Sequence, residues 1–216
     1  MTRHPSGPLA NLSNGVYAIT DEHLLAERLL TSTEQTLQAG TRLIQYRNKQ
    51  DNFATQLEQA SALKALCDRY GALLLINDNA QLCQAVNADG IHIGQGDMKL
   101  MEARRQLGPN AIIGVSCHSN PALAAQAEAD GADYVAVGRF FPSQTKPDAP
   151  PADISDLQAI RHQTHLPIVA IGGVTAANGA SLLAAGADIL AVIHYLFATD
   201  DVAARTRQLV ALFEAD

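Results

Sequence analysis

The chain has 216 residues, 47% of them hydrophobic and only 17% charged, against roughly 25% charged in an ordinary soluble domain. That balance, with 15 glycines and abundant Ala, implies one domain with a large, doubly covered apolar core. A net charge of -7 excludes a basic nucleic-acid surface, and no apolar run approaches the roughly 18 residues of a membrane span.

Residues 1–14 read as a polar N-terminal extension before a catalytic domain over 15–216, and without an apolar leader the protein is expected in the cytoplasm. Apolar strand runs then follow at 16–20, 41–47, 72–76, 90–93, 112–116, 134–138, 168–171 and 189–193. Stretches rich in Ala, Leu, Gln and Glu with helical spacing lie between them, and a last helix covers about 200–214. Eight strands, each followed by a helical segment, predict a single (β/α)8 TIM barrel. Periodicity alone leaves an open doubly wound sheet as the alternative. The junctions Ala39-Gly40, Ala88-Asp89-Gly90, Ala129-Asp130-Gly131 and Ala185-Gly186 read as helix stops, each with a glycine in the left-handed conformation. Between residues 140 and 151 four prolines stiffen a polar loop that suits a lid or binding segment.

In such a barrel the loops after the strands share one face, where ligands bind. At the end of strand two, alternation turns Gln45 and Arg47 towards the mouth and Ile44 and Tyr46 outward, with Lys49 just beyond. After strand three come Asn77 and Asp78, and after strand four Asp97. Either acid could cap a helix, Asp78 the one starting near residue 79 and Asp97 the one over 98–107. Capping does not by itself explain two acids beside a basic cluster. Two acids and two bases converging on one sheet end suit a divalent metal and a diphosphate held together. Ser116 and His118 follow strand five as hydrogen-bonding or turn residues, without the base and orienter a nucleophilic serine needs. After strand six, Ser143, Gln144, Thr145 and Lys146 offer hydroxyls and an ammonium to an anion. After strand seven, Gly172-Gly173-Val174-Thr175 lets a phosphate approach backbone amides. His194 closes the same side, while His92, inside strand four, reads as a satisfied core residue. Cys67, Cys83 and Cys117 lack metal spacing and read as reduced, packed thiols, Cys117 near the site.

Seven segments carry a resemblance: 15–21, Ile44-Gln45-Tyr46-Arg47-Asn48-Lys49, Ile76-Asn77-Asp78, 92–97, Gly114-Val115-Ser116-Cys117-His118, 142–146 and Ala170-Ile171-Gly172-Gly173. In this order they resemble the thiamine-phosphate synthase family over about residues 15–215. The resemblance implies a transferase that joins 4-amino-2-methyl-5-hydroxymethylpyrimidine diphosphate to a thiazole phosphate, releasing diphosphate by a magnesium-assisted, dissociative route. It implies Arg47, Lys49, Lys146 and Ser116 as catalytic groups. The pyrimidine diphosphate would lie against Gln45, Tyr46, Arg47, Asn48, Lys49, Asn77, Ser116 and Lys146. Ser143, Gln144, Thr145, Gly173, Ile193 and His194 would hold the thiazole phosphate, and Asp78 and Asp97 magnesium. The implied partners are these small molecules, with no nucleic acid or membrane. Asn48 stands where many members carry an acid, and His194 where a small hydroxyl residue is common. A thiazole tautomerase on the same barrel, or a non-catalytic phosphate-ligand sensor, are the alternatives.

Overall fold

Strand β1 (Val16–Ile19) is apolar on both faces, as are β2 (Leu43–Tyr46), β3 (Leu73–Asn77), β4 (Gly90–Ile93), β5 (Ile112–His118), β6 (Tyr134–Val137), β7 (Ile168–Ile171) and β8 (Ile189–Val192). Such strands need cover on both sides, and a parallel sheet wrapped in helices provides it. In a computed structural model, which describes Leu9 and residues 15–145 and 150–214, each strand pairs in parallel with the next. β1 also pairs with β8, Val16 opposite Leu190 and Ala18 opposite Val192. The sheet is therefore a closed ring, and the open doubly wound alternative falls.

The connections carry α1 (Glu22–Leu25) and α2 (Leu29–Gln38) after β1, then α3 (Phe53–Arg69), α4 (Ala80–Ala85), α5 (Leu100–Leu107) and α6 (Pro121–Ala129). They continue with α7 (Ile154–Gln163), α8 (Gly179–Ala184) and, after β8, α9 (His194–Phe197) and α10 (Val202–Val210). The final helix is shorter than the 200–214 read from sequence: the Asp201 side chain caps α10, and a 3-10 turn, Ala211–Phe213, follows it. No helix among the described residues is long and apolar enough to cross a membrane.

Alternation along the strands divides the apolar residues into two sets. Ile44, Tyr46, Leu74, Ile76, Ile91, Ile113, Val135, Val137 and Leu190 face the helices. Tyr17, Ile19, Leu43, Leu75, Ile112, Tyr134, Val169 and Ile189 fill the barrel, joined by Leu9 from the segment read as an extension.

One helix-stop reading needs correction. Gly40, Gly131 and Gly186 do take positive φ, at 113°, 88° and 112°. Gly90 does not; Asn87, at φ 51°, makes that turn. Gly90 is the first residue of β4, where an added Cβ would lie 1.9 Å from the Ile112 carbonyl oxygen.

At the N-terminal rim one device recurs three times. Asp89, Asp133 and Asp188, each just before a strand, accept the backbone N–H of Leu74, Ile113 and Ile168 at 2.8 Å in the preceding strand. Each faces a cation: Lys64 at 3.7 Å from Asp89, Arg104 at 2.8 Å from Asp133 and Arg161 at 2.9 Å from Asp188. The Asp188 side chain is only 10% exposed, so its removal leaves the Arg161 charge without its carboxylate and the Ile168 amide without its acceptor. Asp188→Ala is expected to destabilise the fold by about 3 kcal/mol, the scale for breaking a largely buried pair. Urea denaturation checks this, and the KM values of the variant should stay unchanged, since the rim lies far from the barrel mouth.

Candidate active site

The strand ends and the loops after them enclose a cavity of about 300 Å³ at the C-terminal mouth of the barrel. Gln45 and Arg47 line it from β2, Asn77 from β3, His92 from β4, and Ser116 and His118 from β5. The opposite wall is made by Ser143, Gln144 and Thr145 after β6, Gly172, Gly173 and Thr175 after β7, and Ile193, His194 and Tyr195 after β8. Apolar side chains, among them Ile19, Ala136, Val169, Ile171 and Ala191, form the floor and sides.

The parity read for β2 holds. Gln45 is 2% exposed and donates through Nε2 to the Tyr17 hydroxyl at 2.7 Å. The Arg47 guanidinium lies 3.9 Å from Asp21, which caps α1, and 3.6 Å from Glu22, which opens it, and its Nε is buried without a hydrogen-bond partner. Beyond the cavity the same rim continues outward. Lys49 Nζ meets Asp78 Oδ2 at 3.0 Å, and Asn77 Nδ2 donates to the same oxygen at 2.6 Å.

Neither acid is used as a helix cap. Asn79 caps α4, its Oδ1 accepting the Leu82 amide at 2.9 Å. Residue 99, a lysine without a side-chain cap, precedes α5, while Asp97 accepts the Gly94 amide at 2.9 Å. Asp78 takes a left-handed backbone, φ 59°, which a non-glycine residue adopts at some cost and which aims its carboxylate along the rim. Desolvation and the adjacent Asp78 carboxylate together hold Asp97 above the usual aspartate range, against the opposing pull of the Gly94 amide and Lys49. The two acids and Lys49 thus form one cluster.

On β5 the register with β6 slips between Ser116 and His118, so that two residues of β5 oppose one of β6. Such a bulge re-aims side chains next to a site. Ser116 and His118, at φ 52°, turn to the cavity, and Cys117 turns to the helices. Burial pushes the thiols of Cys67, Cys83 and Cys117 up to about 12, which leaves them protonated packing groups.

The turn after β7 is tightly built. Gly173, at φ 64°, passes so close to the preceding loop that a Cβ would lie 2.5 Å from the Pro142 carbonyl oxygen. Asn178 secures the turn, accepting from the Thr175 amide at 2.8 Å and donating to Gly173 O at 3.0 Å. Its helix, α8, therefore starts at Gly179 rather than directly after Thr175. The base of the loop after β6 is pinned by Arg139, whose N–H donates to Pro150 O at 3.2 Å and whose carbonyl accepts from Ala152 at 2.8 Å. Lys146 lies outside the described residues.

Two of the expected residues lie outside the cavity. Tyr46 points between barrel and helices, where its hydroxyl donates to Gln59 Oε1 at 2.7 Å, because strand alternation gives it the opposite face from Gln45. Asn48 is held in its own loop, donating to Asp51 Oδ2 at 2.6 Å and to Gln59 Oε1 at 3.1 Å. Tyr46 and Asn48, with Lys49 and Asp78, border a shallower depression beside the cavity. Conversely, Tyr17, His92, Arg139 and Tyr195 line the cavity without a local sequence signal that assigns them to it. Tyr17 and His92 share only the inward parity of Gln45, which alternation alone supplies.

Relatives agree with this architecture. The family model described as thiamine monophosphate synthase matches residues 16–196. A thiamine-phosphate synthase of Methylobacillus flagellatus is 49% identical over 99% of this chain and all of its own. One of Saccharophagus degradans is 50% identical over 91% of this chain and 92% of its own. Among solved structures, a thiamine phosphate pyrophosphorylase from Pyrococcus furiosus superposes with a TM-score of 0.86 at 33% identity, covering 94% of this chain and 96% of that one. Neither a tautomerase nor a sensor finds support among these relatives. With a closed eightfold barrel and a polar mouth in the order the motifs require, the chain belongs to the thiamine monophosphate synthase family of enzymes.

Proposed function

We propose that the mouth of this barrel binds the pyrimidine diphosphate along β2–β5 and the thiazole phosphate along β6–β8, and joins them with loss of diphosphate. The observation that carries the reading is the cluster of Lys49, Asp78 and Asp97 beside Arg47, with both acids unused as helix caps. Gln45 and Ser116 would hold the aminopyrimidine end of the ligand. Arg47 and Lys49, with Lys146 by resemblance, would meet the diphosphate oxygens as charge builds on the leaving group. Hydroxyls of Ser143 and Thr145 and the backbone around Gly173 and His194 would take the thiazole phosphate. The thiazole nitrogen would then face the methylene carbon.

The electron-rich aminopyrimidine supports positive charge at its methylene, so the departure of diphosphate can precede attack. No protein nucleophile is required for such a reaction. Apolar walls from Ile19, Ala136, Val169 and Ala191 would keep water from the cation.

The donor set fits a divalent cation. Two neighbouring carboxylates, one of them held above its ordinary range by desolvation and by the other's charge, leave negative charge that Lys49 only partly offsets. A magnesium ion held by Asp78 and Asp97 would supply the charge that offsets the departing diphosphate.

The reading is tested by assaying diphosphate release with both substrates and magnesium; it should appear in step with thiamine phosphate and require both substrates. Asp78→Ala and Asp97→Ala should each lose on the order of 100-fold in turnover, as expected for removing a group that stabilises developing charge, while remaining folded. Near-normal turnover in both variants would remove the metal role. A stability prediction follows from the sign of the Asp97 shift. Its folded pKa lies above the unfolded one, so the metal-free fold binds the proton more readily and gains stability as pH falls from neutral through the raised pKa. Asp97→Asn should therefore raise the melting temperature of the metal-free protein at pH 7 and flatten that part of its pH dependence. A lower melting temperature would contradict the repulsion.

A further inference from the structure

A chain of side-chain hydrogen bonds crosses the barrel interior at the floor of the cavity, where Tyr17 and His92 also line it. Gln45 Nε2 donates to Tyr17 Oη at 2.7 Å, and Tyr17 Oη meets Tyr134 Oη at 3.1 Å. Tyr134 Oη lies 2.9 Å from His92 Nδ1, and His92 Nε2 lies 2.9 Å from Ser116 Oγ. Five residues from five strands are joined, and the two ends, Gln45 and Ser116, both line the cavity. Gly114 makes this crossing possible. It pairs in register with His92 on one side and Tyr134 on the other, and a Cβ there would lie 1.9 Å from the Tyr134 ring. The imidazole and phenol rings stack across it at 5.6 Å, 22° apart.

Each hydroxyl has one hydrogen to give, so the direction of one bond sets the next. Tyr17 accepts from the Gln45 amide and must spend its own hydrogen on Tyr134. Tyr134 then donates to His92 Nδ1, which leaves the imidazole hydrogen on Nε2 to be donated to Ser116. Burial keeps both phenols protonated, pushing the Tyr17 and Tyr134 hydroxyls well above the ordinary tyrosine range. The consequence reaches the cavity at both ends. Gln45 is left with its carbonyl oxygen as an acceptor, and Ser116 with its hydroxyl hydrogen as a donor.

We propose that Tyr17, Tyr134 and His92 are positioning residues that fix opposite hydrogen-bonding polarity at Gln45 and Ser116, and so select a ligand with a donor at one place and an acceptor at the other. An aminopyrimidine has that character, with an amine N–H and ring nitrogens bearing lone pairs. The inference rests on the assignment of the pyrimidine to the β2–β5 side of the mouth. Reversal of the chain would turn the Gln45 amide round and make Ser116 an acceptor, which mismatches the same ring.

Nitrogen-15 NMR of histidine-labelled, ligand-free protein tests the wiring directly, with His92→Gln used to assign the signal. His92 should show one neutral tautomer with hydrogen on Nε2. Tyr17→Phe, which touches neither His92 nor Ser116, should replace that signature with a mixture of tautomers, as should Tyr134→Phe. In both variants KM for the pyrimidine diphosphate should rise about tenfold, the scale for one misdirected buried hydrogen bond, with KM for the thiazole phosphate unchanged. Hydrogen on Nδ1 in the unmodified protein overturns the proposal, and so does an unaltered KM ratio in both variants. If the variants do not fold, the tautomer of the unmodified protein decides alone. Failure of the substrate assignment would instead show as no binding of pyrimidine diphosphate by a protein whose His92 tautomer is as stated.

Discussion

A closed parallel ring leaves each strand residue only two directions, into the barrel or out towards the helices, and everything at the mouth inherits that choice. Gln45 and Arg47 reach the cavity because Ile44 and Tyr46 are needed outside. Polar groups that alternation sends inside meet little water and must satisfy one another. Gln45, Tyr17, Tyr134, His92 and Ser116 do so as a set. Their arrangement depends in turn on Gly114, the one place in the crossing where a side chain had to be omitted for two rings to meet.

The two rims of the barrel use carboxylates in opposite ways. At the N-terminal rim, Asp89, Asp133 and Asp188 accept backbone amides and face cations, so their charge is balanced by the fold. At the C-terminal rim, Asp78 and Asp97 stand together with Lys49 and keep an excess of negative charge. The first arrangement stabilises the ring. The second is a poor way to stabilise anything and a good way to hold a cation with an anionic ligand.

Much of this was legible before any coordinates. Eight apolar runs in order predict the barrel but not its closure, and the outward turn of Tyr46 and inward turn of Arg47 follow from parity. Other features depend on partners distant in sequence and leave no local trace. Nothing in the spacing around Asp133 or Asp188 announces Arg104 or Arg161. Gly90 looks like a helix stop until the Ile112 carbonyl is seen beside it. His92 reads as a core residue, yet it lines the cavity, and its partners Tyr134 and Ser116 lie 42 and 24 residues away. The bulge that separates Ser116 from Cys117 is likewise a matter of register between strands.

Leu9 joins the interior set with no surface exposed, although it precedes the first strand. It belongs to the same buried cluster as Leu43, Ile112 and Ile189, whose strands begin at the end remote from the mouth. Leu9 thus adds an apolar side chain from outside the eight strands to the packing of the barrel interior.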